Sequence, residues 1–417
     1  MTQIRPRLIG LALLVLVFAS CAGDGASTIP PVAPAVTTST FPEKTTTTLP
    51  TGQVSVSTDS EVPGDLLDQV AAIYFIANYG DGAAVKAERP ELDAPGKLIS
   101  HLEGLNTDSE EKIQLEASIS SAAIGEEFGA LVQVGEDLVL AASRDSMTWR
   151  IIGTKLTSLG DSPWYGTEPR QLFIIGSDAR PGENPERLRA DSLHIISMVP
   201  DGSAISIVGI PRDSYVTTPE GNRRKFTNIM AGNGPDRIVG TAEILTELEF
   251  DGYILTGFKG FVALVNEFGG FTVDIPFAMN EPKSKAHFSA GEQWLNGAQA
   301  LAFARNRTLS GGDFTRQFHH GVIMQWGIAA LQGKGITALP ESLGILAEHT
   351  FTDLDAETMI LVGAALFEQD AFEIPNVVLP GSPGWAGEAS VVYLAEERSQ
   401  EIFADIADGI FDTYEAR

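Results

Sequence analysis

The chain has 417 residues, with 28 Lys+Arg against 55 Asp+Glu, a formal charge of −27, and a single cysteine. An acidic surface opposes nucleic-acid binding, which rests on basic surface, and one cysteine excludes an intramolecular disulfide or a thiolate metal cluster. The charge is uneven: residues 170–320 hold 15 basic and 17 acidic side chains, so a nearly neutral, Arg-rich segment sits inside an acidic chain.

At the N-terminus Arg5 and Arg7 precede an apolar run from Leu8 to Phe18 and then Ala19-Ser20-Cys21. A short apolar stretch behind two positive charges reads as an export leader, too short to span a bilayer comfortably. Small residues before the lone cysteine match a bacterial lipoprotein processing site, although Phe18 stands where such sites favour Leu, Val or Ile. Residues 1–20 are therefore read as a leader and Cys21 as a lipid anchor holding the protein on the outer face of the cell membrane; an uncleaved signal anchor is the alternative. Residues 21–61 include Thr45-Thr46-Thr47-Thr48 and are rich in Thr, Pro, Ala and Ser, the composition of a disordered spacer.

Residues 62–165 are predicted to form a small α+β accessory domain. Leu66, Val70, Ile73 and Tyr74 recur at helical spacing, and Ala130–Val134, Leu138–Leu140 and Thr148–Ile152 read as strands. No catalytic or metal-binding constellation stands out there. From residue 166 the pattern changes to α/β. Leu172-Phe173-Ile174-Ile175 is a continuous apolar run suited to a strand covered on both faces. Leu193–Ser197 and Ala204–Val208 follow, joined through a turn at Pro200-Asp201-Gly202-Ser203. Ile238–Leu248, Phe258–Phe268, Leu295–Phe303 and Gly321–Leu331 have helical periodicity, and Phe271–Phe277 alternates like a strand. Interleaved strands and helices predict a three-layer α/β/α domain with a mixed central sheet over 166–417, preceded by the α+β unit.

The residues with chemistry fall beside these elements. They are Gly176-Ser177-Asp178-Ala179-Arg180, Arg189-Ala190-Asp191-Ser192, Ile210-Pro211-Arg212-Asp213, Arg305-Asn306-Arg307 and Asp313-Phe314-Thr315-Arg316. Carboxylates suit a hard cation such as Mg²⁺, or Mn²⁺ in its place, and guanidinium forks match phosphate oxygens. Asp178 and Asp191, at neighbouring strand ends, are candidates to share one ion. In an extended segment Arg305 and Arg307 would face the same side. Lys225 lies in a charged run with Arg223 and Arg224. Adjacent His319 and His320 cannot face one another on a helix, so only one of them would reach an anion.

In this order the motifs resemble the LytR–CpsA–Psr family of bacterial cell-envelope proteins. The resemblance covers residues 170–330 and includes Lys225-Phe226-Thr227, Gly257-Phe258, Gly269-Gly270 and Leu295-Asn296-Gly297. It implies a Mg²⁺-dependent phosphotransferase that moves a glycopolymer from a polyprenyl-pyrophosphate carrier onto peptidoglycan or another envelope acceptor. It further implies that Asp178 and Asp191 hold the metal and that Arg189, Arg212, Arg305 and Arg307 act on the pyrophosphate. Arg180, Lys225 and Arg316 would support them; outside the resemblance, His320 is a further candidate for contact with the anion, and the general base is open between Asp213 and a metal-polarised environment. The chain departs from the family at Thr315, where many members have Gly, and at His319-His320, where Arg and Gln are usual. A polyprenyl-pyrophosphate hydrolase and a non-catalytic carrier-lipid binding protein are the competing readings. Phe258, Phe261, Val262, Val265, Phe268, Val322, Ile323 and Trp326 would suit a lipid-tail pocket, but apolar helical faces are more often plain core.

Overall fold

The computed structural model describes residues 44–48, 53–89, 91–105, 111–275, 277–306 and 311–411. The leader, Cys21 and Arg307 lie outside the described residues. Glu43–Arg417 packs as one compact unit, so the accessory and α/β regions are not separate bodies.

The first region is a six-stranded sheet in chain order, from Thr45–Thr48 and Val54–Thr58 through Ile113–Ile124, Glu127–Val134 and Asp137–Ser143 to Arg150–Lys155. Its first two strands fall inside the spacer expected over residues 21–61, so Thr45–Thr48 and Val54–Thr58 are folded instead. The reason is local: Val54, Val56 and Thr58 are buried in alternation, and β-branched Thr and Val favour a pleated, half-buried strand. The helix Leu66–Tyr79 crosses over to make Val54–Thr58 and Ile113–Ile124 parallel, and is buried almost all round.

The second sheet is mixed, as expected. Its order is Phe351–Thr352, Gly252–Thr256, Arg170–Ser177, Ala190–Met198, Ile205–Gly209, Asn376–Val378. Gly252–Thr256 runs parallel to Arg170–Ser177, and Asn376–Val378 parallel to Ile205–Gly209; the other pairs are antiparallel. Both edge strands come from the tail after residue 336, so the tail completes this sheet.

Alternation along the strands gives the sheet two apolar faces. Phe173, Ile175, Leu193 and Ile195 pack with Ile238 and Ala242 of the helix Pro235–Thr246 and with Ile402, Phe403 and Ile406 of the helix Glu396–Ala407. Leu172, Ile196 and Ile207 face the other way, toward the helices Asp313–Lys334, Leu339–His349 and Ala356–Ala365. This is the three-layer arrangement. The first sheet packs behind the last two helices, because Leu131, Leu138, Leu140 and Ile152 share one buried cluster with Leu339, Leu343, Met359 and Ile360. The approach is close: a Cβ on Gly129 would come within 2.7 Å of the Ile360 side chain.

Phe271–Ile275 is a strand, but pairs with Gly291–Leu295 in a separate two-stranded sheet rather than joining the central one.

Candidate active site

The site begins with an irregularity between two central strands. Gly176 pairs with Ser192 and Ser177 with Ala190, so Asp191 is an extra residue bulged out of the ladder. A Cβ on Gly176 would sit 2.7 Å from that of Ser192, so the ladder here needs a residue without a side chain. Just beyond, the main chains of Asp178 and Arg189 bond at 2.9 Å. The Asp178 carboxylate accepts from the Arg189 backbone N–H at 3.1 Å, from Nε at 3.0 Å and from Nη2 at 2.6 Å. The Asp178 hydrogen bond and charge raise the Arg189 pKa, keeping that guanidinium firmly cationic.

Arg212 donates to Asp191 at 2.5 Å and lies 3.5 Å from Asp313, which also pairs with Arg316. Burial pushes the Asp313 carboxyl upward, against the pull of Arg316 and Arg212. Gln317 supports the bulge from below, donating to the Asp191 carbonyl at 3.1 Å. Lys225 ends the strand Arg223–Lys225 and reaches Asp213 at 3.4 Å.

Asp178, Arg180, Arg189, Asp191 and Arg305 line the mouth of one cavity of about 620 Å³, and the buried Arg316 and half-buried His320 line it as well. Its body is apolar. Leu172 and Ile196 of the sheet line it, together with Leu264, Phe268, Ile328, Leu331, Leu343 and Met359 of the surrounding helices. Of the residues set aside as core from sequence, Phe258, Phe261, Val265, Phe268 and Ile323 line this cavity, whereas Val262, Val322 and Trp326 do not. Lys283, in the turn between Met279–Glu281 and Ala286–Phe288, lines it too and was missed, since a lone Lys in a turn carries no signal.

Three details differ from the sequence reading. Arg305 caps the helix Gly297–Ala304 in helical backbone geometry rather than lying in an extended segment, and its guanidinium sits 4.8 Å over the Phe258 ring. Asp313 and Arg316 open the helix Asp313–Lys334, which begins a full two turns before the expected Gly321. His320 lines the cavity as a neutral ring: burial, with His194 nearby, holds its pKa well below the ordinary value. Its Nε2 donates to the Ala304 carbonyl at 2.9 Å, so it orders the wall instead of offering a charge. His319 turns away and stacks on Phe303.

A family model described as the LytR_cpsA_psr family matches residues 151–407. The chain belongs to the LytR–CpsA–Psr family. The match begins inside the last strand of the first sheet, so most of that sheet lies outside the LytR–CpsA–Psr region. Among curated relatives, a "Polyisoprenyl-teichoic acid--peptidoglycan teichoic acid transferase TagU" of Bacillus cereus (strain AH820) is 30% identical over 196 residues, 46% of this chain and 63% of that protein. A transferase of the same description, TagV of Bacillus subtilis (strain 168), is 30% identical over 187 residues, 43% of this chain and 47% of its own. The chain thus spans less than two thirds of the length of these relatives. The crystal structure of B. subtilis TagV superimposes with a TM-score of 0.51 at 26% identity, covering 58% of this chain and 98% of that one. Protein gbs0355 of Streptococcus agalactiae shares the fold at TM-score 0.52 and 21% identity, over 58% of this chain and 88% of its own.

Proposed function

We propose that this chain is a phosphotransferase moving a glycopolymer from a polyprenyl-pyrophosphate carrier onto peptidoglycan or a related envelope acceptor. One observation carries the reading: a single cavity joins an apolar body to a mouth bearing both Asp178–Arg189 and Asp191. An isoprenoid chain suits the body and a pyrophosphate suits the mouth, whereas a water-soluble nucleotide would leave the apolar walls unmatched. The curated relatives, described as polyisoprenyl-teichoic acid–peptidoglycan teichoic acid transferases, favour the same class of substrates.

Asp178 and Asp191 are the residues that would hold Mg²⁺. Both are hard oxygen donors on the rim of one cavity, with side chains 19% and 25% exposed and so open to an ion. A bound Mg²⁺ would supply neutralisation of the pyrophosphate charge. The chain's own residues do the rest. Arg189 and Arg305 bring fixed cations to the mouth, Asp178 and Phe258 orient them, and Arg212 is braced between Asp191 and Asp313. Such preorganised charge is the principal contribution an enzyme makes to phosphoryl transfer.

An export leader and a lipid anchor on Cys21 would place this site at the outer membrane face, where carrier lipid and wall meet. No helix of the described residues is long and apolar enough to cross a membrane. The deciding experiment incubates the protein with a polyprenyl-pyrophosphate-linked saccharide, Mg²⁺ and peptidoglycan, beside Asp191→Asn. Transfer that requires both Mg²⁺ and Asp191 is expected; a donor that neither binds nor reacts would refute the reading.

A further inference from the structure

A second cavity, of about 510 Å³ and largely polar, is lined by Arg189, Arg212, Asp213, Tyr215, Arg224 and Lys225 on one side. Ala386, Ala389 and Val391 of the hairpin Gly381–Ala386/Ala389–Leu394 close the other. Arg189 lines this cavity as well as the apolar one, so the two spaces share the residue assigned above to the pyrophosphate.

In phosphoryl transfer the attacking and leaving oxygens lie roughly in line across the phosphorus. If the polyprenyl phosphate departs on the apolar side, the attacking hydroxyl needs a separate polar approach to the same arginine. The walls of the second cavity define what would come. Asp213 offers a carboxylate, held 3.4 Å from Lys225 and fixed through its carbonyl, which accepts from the Val392 N–H at 2.8 Å. The Arg224 guanidinium has no ion pair among the described residues, leaving one cation to meet an anion on the incoming molecule. Tyr215 is held as a rigid wall, with Arg223 4.7 Å over its ring and Tyr393 edge-on at 6.1 Å. An aromatic face complements the C–H face of a sugar ring. Ala386 and Ala389 are paired across the hairpin, and their small side chains keep the space open.

We propose that this cavity is the acceptor subsite, taking a hydroxyl-bearing saccharide with an anionic substituent, and that Asp213 receives the proton of the attacking hydroxyl. The proposal rests on the phosphotransferase reading. A new bond forms from the acceptor oxygen to the polymer-proximal phosphorus, which keeps its polymer. The bond from that phosphorus to the polyprenyl phosphate breaks, and its electron pair leaves on the polyprenyl phosphate. The hydroxyl proton passes to the Asp213 carboxylate and then to solvent.

The test uses the full chain with a polyprenyl-pyrophosphate-linked disaccharide as donor and a soluble peptidoglycan tetrasaccharide bearing its stem peptides as acceptor. Donor affinity and transfer kinetics are measured for wild type, Arg224→Ala and Ala389→Trp. The KM for the tetrasaccharide is expected to rise by about tenfold or more in both variants, with donor affinity within about twofold of wild type. For Arg224→Ala the rise should vanish with an uncharged N-acetylglucosamine tetramer. An unchanged acceptor KM in both variants would overturn the proposal while leaving the phosphotransferase reading standing. A wild-type protein that does not bind the donor would overturn both.

Discussion

The carboxylate of Asp191 lies 2.5 Å from the Arg212 guanidinium, and Asp191 reaches it from the bulge that lets one strand outrun its neighbour by a residue. Arg212 also leans on the mostly buried Asp313. Arg212→Ala should therefore lower turnover by about 10²–10³-fold, the usual cost of losing one preorganised charge. It should also cost about 1–3 kcal/mol of stability, since a desolvated carboxylate loses a partner. Arg212→Lys should recover more of the stability than of the turnover, because a single ammonium cannot reproduce the fork. Steady-state rates beside urea unfolding would check this, and full turnover by Arg212→Ala would remove it from the site.

Chelation gives an independent check on the metal. Treatment with EDTA should abolish transfer and excess Mg²⁺ should restore it. Mg²⁺ should also raise the melting temperature of the wild type, by linkage to the folded state, and this rise should shrink in Asp178→Asn and Asp191→Asn. A melting temperature indifferent to Mg²⁺ in all three proteins would argue against these two ligands.

Gly327 offers a way to fill the apolar cavity without damaging the fold. It lines the cavity in the middle of the helix Asp313–Lys334, and a Cβ there would meet no atom within 4 Å. Gly327→Leu should raise helix stability by up to about 1 kcal/mol while weakening binding of long polyprenyl carriers. A short-chain analogue should be less affected. Unaltered affinity for the long carrier would show that the isoprenoid chain lies elsewhere.

The pH dependence of stability follows from buried histidine. The His194 Nε2 donates to the Gln317 carbonyl at 2.9 Å, its Nδ1 accepts from Ser192 at 3.2 Å, and burial lowers its pKa from 6.5 to about 4. Below pH 6.5 the unfolded chain takes up a proton that the native ring refuses, so unfolding gains on folding as pH falls, until the native ring titrates near pH 4. His319 and His320 shift in the same direction, whereas the raised Asp313 acts in the opposite sense. Urea midpoints should thus decline from pH 7 toward pH 4, and His194→Asn should make the decline shallower. An identical slope in the variant would contradict a neutral His194.

The site was legible in the sequence where chemistry and local pattern coincide. Asp178, Arg189, Asp191 and Arg212 flank strands whose apolar runs are unambiguous, and the structure brings them into two salt bridges around one bulge. Less was legible where meaning depends on distant packing. Thr45–Thr48 has the composition of a linker and becomes a strand only because Val54–Thr58 pairs with it. The polar start of Asp313–Lys334 hides a helix whose first turns face charged partners instead of an apolar core. Phe268 and Ile323 look the same from sequence whether they border a void or fill a core; only the positions of three other helices decide that they border a void.

The helices Leu339–His349 and Ala356–Ala365 are pressed between the first sheet on one side and the cavity on the other. A version cut back to the residues shared with its relatives would turn Ile360 and its neighbours toward water, and those two helices would keep the central sheet but lose the support behind them. Transplanting residues 151–407 into another protein would therefore call for carrying along the upstream sheet, as a vault must travel with its buttress.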